Sequence, residues 1–200
     1  MFLLEALAVA LALAYLYLAA RENIWCWLCA FASSLLYVFV LWDARLLTEA
    51  GLNVFYMVMA VAGWHQWRRR GAGEGLSQIV SMKWWHHVPL FALLFVMTWL
   101  SGYAMQTWTT AAYPFVDSFI TWGSVITTVL VIRKVLENWL YWVLFDSVAI
   151  FLYINRGLYM TAVLFGLYVV IVIFGYMRWR RSYLRKLERE SSMPEAAAAQ

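Results

Sequence analysis

Near the middle of its sixth long apolar run, this sequence carries an acid. Asp146 follows Trp139 and Trp142 in the stretch ENWLYWVLFD, residues 137–146. In a helix turning about 100° per residue, those spacings place Trp139, Trp142, Asp146 and then Tyr153 on one face. A carboxylate at membrane depth costs about 2.5–3.5 kcal/mol on insertion scales, so it needs a wet cavity or a cation. No Lys or Arg falls at that depth, because the basic residues sit at the ends of the apolar runs. The missing positive charge can therefore arrive with a ligand. Two indole faces beside a carboxylate suit a flat cationic ring, through stacking, cation–π and Coulomb attraction. The competing account is a protonated Asp146 bonded to a neighbouring hydroxyl.

Further polar residues fall on neighbouring runs. Asp117, Thr121, Ser124 and Thr128 are spaced four, three and four apart, which makes one helical face with Asp117 near its outer mouth. Asn138 opens the run that carries the tryptophans, and Asn53 with Tyr56 lies on the third run. Hydroxyls at such depth also bond their own backbone, and polar side chains join helix to helix. Enzyme signatures are absent: there is no H-E-x-x-H, G-x-S-x-G, nucleotide loop or metal-ligand cluster. No catalytic residue, cofactor or metal is expected. Cys26 and Cys29 form a C-x-x-C pair inside an apolar run with no second pair, and pack there as small hydrophobes. His86 and His87 beside Trp84 and Trp85 suit an interfacial belt.

The elements that position these residues are apolar helices. The chain is 65% hydrophobic and 13% charged over 200 residues, far from the balance of a soluble domain, so its solvent is partly a lipid bilayer. Seven stretches approach the roughly 20 apolar residues that span a bilayer: 1–20, 23–42, 46–67, 84–104, 113–132, 136–155 and 158–177. Thirteen of the fifteen basic residues fall on one side of this arrangement and only Arg45 and Arg156 on the other. By the positive-inside rule the N-terminus lies outside and the C-terminus in the cytoplasm. The net charge of +4 at the membrane surface, without a basic soluble face, argues against nucleic acid.

Sliding the chain along itself sets GWHQW (63–67) on GYMRW (175–179), Tyr56 on Tyr168 and Trp27 on Trp139, all at one offset. Asn23 and Asn138 open their helices at a slightly different offset. The organisation expected is a three-helix repeat over 1–67, a cytoplasmic loop over 68–83 and a linking helix over 84–104. A second repeat follows over 113–177, then a basic tail over 178–200 that ends in disorder. One linking span makes the two repeats parallel, a plan that recurs in transporters.

The stretches GLNVFYMVMAVAGWHQW and RKVLENWLYW…GYMRW resemble the PnuC family of bacterial vitamin transporters, up to about residue 180. That resemblance implies an all-α, seven-helix integral membrane protein of 3+1+3 arrangement, similar to the SWEET transporters, assembled as a homotrimer. It implies facilitated diffusion of nicotinamide riboside across the inner membrane, with a cytoplasmic kinase trapping the product. The family signature W-x-x-W-x-x-x-N falls on Trp139, Trp142 and position 146, and many members have Gln where this chain has Asn53. Here Asp146 replaces the asparagine, which brings thiamine, the substrate of the related PnuT branch, nearly level. A carboxylate accepts from the aminopyrimidine of thiamine better than an amide does. A vitamin-binding receptor that does not transport and a proton-coupled carrier using Asp146 and Asp117 are the rival readings.

The charge asymmetry generates a topology prediction. A reporter fused after Trp179 is expected in the cytoplasm and one at the N-terminus in the periplasm. An N-terminal reporter found inside would mean a miscounted span.

Overall fold

The computed structural model describes residues 2–43, 47–71, 78–109, 112–155, 157 and 159–198. Arg45, Arg156 and residues 72–77 of the expected loop lie outside the described residues. Among those described the chain is all-α: α1 (Phe2–Ala20), α2 (Cys26–Asp43), α3 (Leu47–Gly71), α4 (His87–Trp108), α5 (Pro114–Ile132), α6 (Asn138–Asn155) and α7 (Tyr159–Ala198). A single 3₁₀ turn, Trp84–His86, leads into α4.

The seven expected spans thus appear as seven helices, but length and composition alone mark five as membrane-crossing: Leu3–Ala20, Cys26–Asp43, Trp84–Trp108, Pro114–Ile132 and Thr161–Ser192. The two others are α3 and α6. Polar residues account for the difference: α3 carries Asn53, His65, Gln66, Arg68 and Arg69, and α6 carries Asn138, Asp146, Ser147 and Asn155. Length does not, since the 18 residues of α6 reach about 27 Å at roughly 1.5 Å each, close to a hydrocarbon core of about 30 Å. At the other end, α7 runs 40 residues to Ala198, through the basic tail and into the end expected to be disordered. That extension is rich in Arg, Lys, Leu, Glu and Ala, all strong helix formers.

The chain divides into two compact units, Met1–Ile79 with Phe174–Gln200, and Val80–Ile173. In the first, α1 packs on α2 and α2 on α3. Trp27 is buried there against Tyr15 and Trp67, with ring centroids 6.0 and 5.4 Å away. Trp179 donates its indole N–H to the Ala19 carbonyl at 3.1 Å and its ring lies 6.2 Å from Trp67. In the second unit α4, expected as a link between repeats, packs on α5, and α5 on α6. Leu94, Ile126, Leu130, Val135, Tyr141 and Phe145 form its core.

The repeat is visible in the local geometry of both units. Phe2 and Pro114, Cys26 and Asn138, and Leu47 and Tyr159 start their helices at the same offset that aligns Trp27 with Trp139. After α1, Glu22 N–H donates to Ala19 O and Asn23 N–H to Leu18 O, both at 3.0 Å. After α5, Lys134 N–H donates to Val131 O at 2.9 Å and Val135 N–H to Leu130 O at 3.0 Å, the same pair of bonds in the second copy. This is the Schellman closure, which satisfies the last helical carbonyls by turning one residue left-handed. Glu22 (φ 57°) and Lys134 (φ 54°) are those residues. At this register Asn138 matches Cys26, and Asn23 matches Val135.

Close helix approach needs glycine. A Cβ on Gly63 would stand 2.4 Å from the Trp27 ring, and one on Gly123 would stand 2.2 Å from the Phe145 ring. Phe145 is fully packed and cannot swing away. Gly123→Ala is therefore expected to destabilise by about 1–3 kcal/mol, the usual range for overpacking a core. Gly166→Ala, with nothing within 4 Å of the new Cβ, serves as control. Thermal unfolding in detergent separates them, and equal midpoints would mean that α5 and α6 can move apart freely.

Candidate functional site

The expected site residues fall in both units. Asn53 and Tyr56 lie half-buried on α3 in the first; Asp117, Thr121, Ser124, Asn138, Trp139, Trp142 and Asp146 lie in the second. On α6 the expected face is present, but its members differ in access. Trp139 is 1% exposed and Asp146 5%, while Trp142 is half-buried. Trp139 is the counterpart of Trp27, itself 2% exposed. Both copies use this tryptophan as packing, whereas the more open indole, Trp142, has Ala30 as its counterpart.

Asp146 is the unusual group. Its carboxylate has no hydrogen-bond or ion-pair partner among the described residues. The hydroxyls expected as alternatives bond elsewhere: Ser147 donates to Val143 O at 2.6 Å, Thr127 to Gly123 O and Thr128 to Ser124 O, both at 2.7 Å. Back-bonding of this kind is the ordinary fate of Ser and Thr in apolar helices. It removes Thr128 as a donor to a ligand, although Ser124 lies buried one turn before it and Thr121 and Asp117 stay half-buried.

Asn138 is completely buried at the start of α6. Its amide nitrogen donates to the Val135 carbonyl at 2.6 Å, which tightens the turn into α6. Its carbonyl oxygen has no partner among the described residues. Asn138 therefore sets the helix start, with its side chain enclosed.

Three features had no counterpart in the sequence reading. Glu137, one residue before Asn138, accepts from the Ser81 hydroxyl and from Met82 N–H at 3.1 Å. Val80 forms an isolated parallel bridge with Val135. His87, expected in the interfacial belt, instead faces Tyr141 Oη with Nδ1 at 2.8 Å, its ring stacked on the phenol. Trp84, Trp85 and His86 are exposed, as a belt requires. The E-N-W run contained a signal for Glu137, but the partner lies 56 residues away in sequence and nothing local points to it.

A chain with long apolar helices and a buried acid that faces no cation among the described residues has the make-up of a multi-pass membrane transporter. A profile of the nicotinamide mononucleotide transporter family matches residues 2–181, and the chain belongs to that family. The riboflavin/roseoflavin transporter RibM of Streptomyces davaonensis is 26% identical over 192 residues, 94% of this chain and 88% of that protein. The nicotinamide riboside transporter PnuC of Escherichia coli is 23% identical over 206 residues, 90% and 85% of the two chains. A crystal structure of the vitamin B3 transporter PnuC has a similar fold, with a TM-score of 0.73 at 20% identity, over 92% of this chain and 83% of that one. The PnuC resemblance seen in the sequence is the correct family. The chain is a multi-pass inner-membrane transporter, and its family is not one of enzymes.

Burial divides the two tryptophans experimentally. Trp139→Ala removes a packed core side chain and is expected to cost about 3–5 kcal/mol of stability. Trp142→Ala is expected to leave the melting midpoint nearly unchanged while weakening binding of a cationic ring by about 2 kcal/mol. Melting in detergent and a binding titration on each variant decide this. An unstable Trp142→Ala protein would return both tryptophans to packing.

Proposed function

We propose that this protein carries a cationic B vitamin with a flat ring across the inner membrane by facilitated diffusion. Nicotinamide riboside ranks first and thiamine next. The observation that carries this reading is the buried Asp146 carboxylate without a partner among the described residues, four residues beyond the half-buried ring of Trp142. A positive ring set against both gains Coulomb and cation–π attraction in a site where water competes little. Riboflavin, carried by the relative RibM, has a neutral ring system that gains stacking alone. Asp146 therefore ranks it below the cations.

The substrate contacts assigned are Trp142 and Asp146. Trp139 and Asn138 hold the helix behind them, and Asp117, Thr121 and Ser124 flank the path on α5. Asn53 and Tyr56, on α3, are the polar residues assigned in the first unit. The 3+1+3 plan with parallel repeats is the arrangement we propose, supported by helix starts that recur at the constant offset of the sequence repeat. The basic residues favour an outside N-terminus and a cytoplasmic C-terminus. A homotrimer, and trapping of the vitamin by a cytoplasmic kinase, complete the reading on family grounds.

The test is a set of titrations with nicotinamide riboside, thiamine and riboflavin on wild type and Asp146→Asn. Asparagine is nearly isosteric and cheaper to bury, so the empty variant is expected to be no less stable. Losing a charge-assisted hydrogen bond should cost thiamine about 1.5–3 kcal/mol, roughly ten- to a hundredfold in affinity. Nicotinamide riboside should lose little or gain, because an amide restores the family's usual residue. Riboflavin as the tightest ligand of the wild type would overturn the cationic assignment.

A further inference from the structure

We propose that Glu137 is a positioning residue for transport. With the segment 80–82 it forms a polar clasp on the first turn of α6, and opening this clasp belongs to the motion by which α6 releases its substrate. The inference rests on the transporter reading above.

The clasp has four hydrogen bonds within the second unit. The Glu137 carboxylate accepts from the Ser81 hydroxyl and from Met82 N–H at 3.1 Å. On its N-terminal side, Val80 N–H donates to Lys134 O at 3.1 Å and Leu136 N–H donates to Val80 O at 2.8 Å. This strap of residues 80–82 leads directly into the 3₁₀ turn and α4, where His87 meets Tyr141. Tyr141 lies four residues after Glu137 and therefore above it on the same side of α6. One short stretch of chain thus grips two successive turns of the helix that bears Trp142 and Asp146.

The duplicated half shows that this clasp is not needed to build the turn. Position 137 corresponds to Trp25, whose ring packs on Trp64 at 5.5 Å. Yet the first unit makes the same backbone bonds into its helix: Cys26 N–H to Asn23 O and Leu28 N–H to Trp25 O match Asn138 N–H to Val135 O and Leu140 N–H to Glu137 O. The turn closes with or without an acid there. The carboxylate and the strap are additions of the second copy, which is also the copy that carries Trp142 and Asp146.

The bonds are also of a kind that can open. Ser81 is exposed and Glu137 half-buried, so water replaces the protein donors as they part. Partly hydrated contacts of this type have a small net free energy and can be broken in every cycle. A buried pair would lock α6, and an apolar contact would lack defined geometry.

The experiment uses the full-length protein in two arms. In detergent, hydrogen exchange is measured at the amides of Val80, Met82 and Leu136. In proteoliposomes, uptake of radiolabelled nicotinamide riboside, thiamine and riboflavin is measured beside binding of the same compounds. Glu137→Ala is expected to speed exchange at those three amides, to change the transport rate by about tenfold, and to alter the binding constant less than threefold. Glu137→Gln keeps one acceptor and should restore part of the rate. Ser81→Ala should shift the rate in the same direction, and combining it with Glu137→Ala should add nothing further. Rate and affinity falling together, or additive effects of the two substitutions, would make Glu137 a structural residue and overturn the proposal. If wild type carries none of the three vitamins, the transporter reading fails on its own. Unchanged exchange in Glu137→Ala would independently sink the clasp.

Discussion

In an apolar solvent every backbone N–H and C=O must find its partner inside the protein. That constraint shapes each part of this chain. It makes the segments helical, and it closes α1 and α5 with left-handed residues even though these are Glu22 and Lys134 and not glycine. A left-handed L-residue costs roughly 1–2 kcal/mol, which an orphaned pair of carbonyls would match or exceed. The same constraint occupies three buried hydroxyls and one exposed one. Ser33 donates to Ala8 O at 2.8 Å, and Thr127, Thr128 and Ser147 donate to their own helices. A carboxylate has no proton to donate in this way. Against that background Asp146 stands apart as a group the backbone cannot satisfy.

The helices themselves were legible because lipid leaves one strong signal, a long apolar run. The expected starts at 113, 136 and 158 fall within two residues of Pro114, Asn138 and Tyr159. The register of the repeat was legible from GWHQW and GYMRW, since buried glycines and buried tryptophans such as Gly63 with Trp67 and Gly175 with Trp179 are hard to replace. Access to the site was less so. Periodicity places Trp139 and Trp142 on one face but says nothing about which of them a neighbouring helix covers, and that decides packing against binding. The strap was not legible at all. It depends on backbone bonds between Val80 and the turn at 134–136, and backbone donors carry no residue signature.

The two copies separate what packing requires from what is special to one half. Where they agree, at Trp27 and Trp139 or at Gly63 and Gly175, the residues are buried. Where they differ, the second copy gains polar and aromatic chemistry: Trp142 for Ala30, Asp146 for Ser34, Glu137 for Trp25, Asn138 for Cys26. Ser34 is buried like Asp146 but carries no charge. The turn bonds hold through the backbone at both positions, so the side chains there can differ. At the position of Asp146 only the second half carries an acid.

The charge of Asp146 bears on how the facilitator proposed above would work. A carrier must release its substrate on the far side, so very tight binding would slow it. An ionised Asp146 in the empty protein already bears a desolvation cost, and a cation that arrives must shed its own water to meet it. The net attraction is therefore much smaller than the Coulomb energy of the pair in isolation. Selectivity survives this cancellation. A neutral ring of the same shape leaves the carboxylate buried and uncompensated, whereas a cation relieves it, so the difference between the two ligands stays large while the absolute affinity stays moderate. An asparagine at this position would recognise shape and hydrogen-bond pattern with little regard for charge. On the function proposed above, the aspartate of this chain turns the polarity of one buried side chain into a requirement for a positive ring.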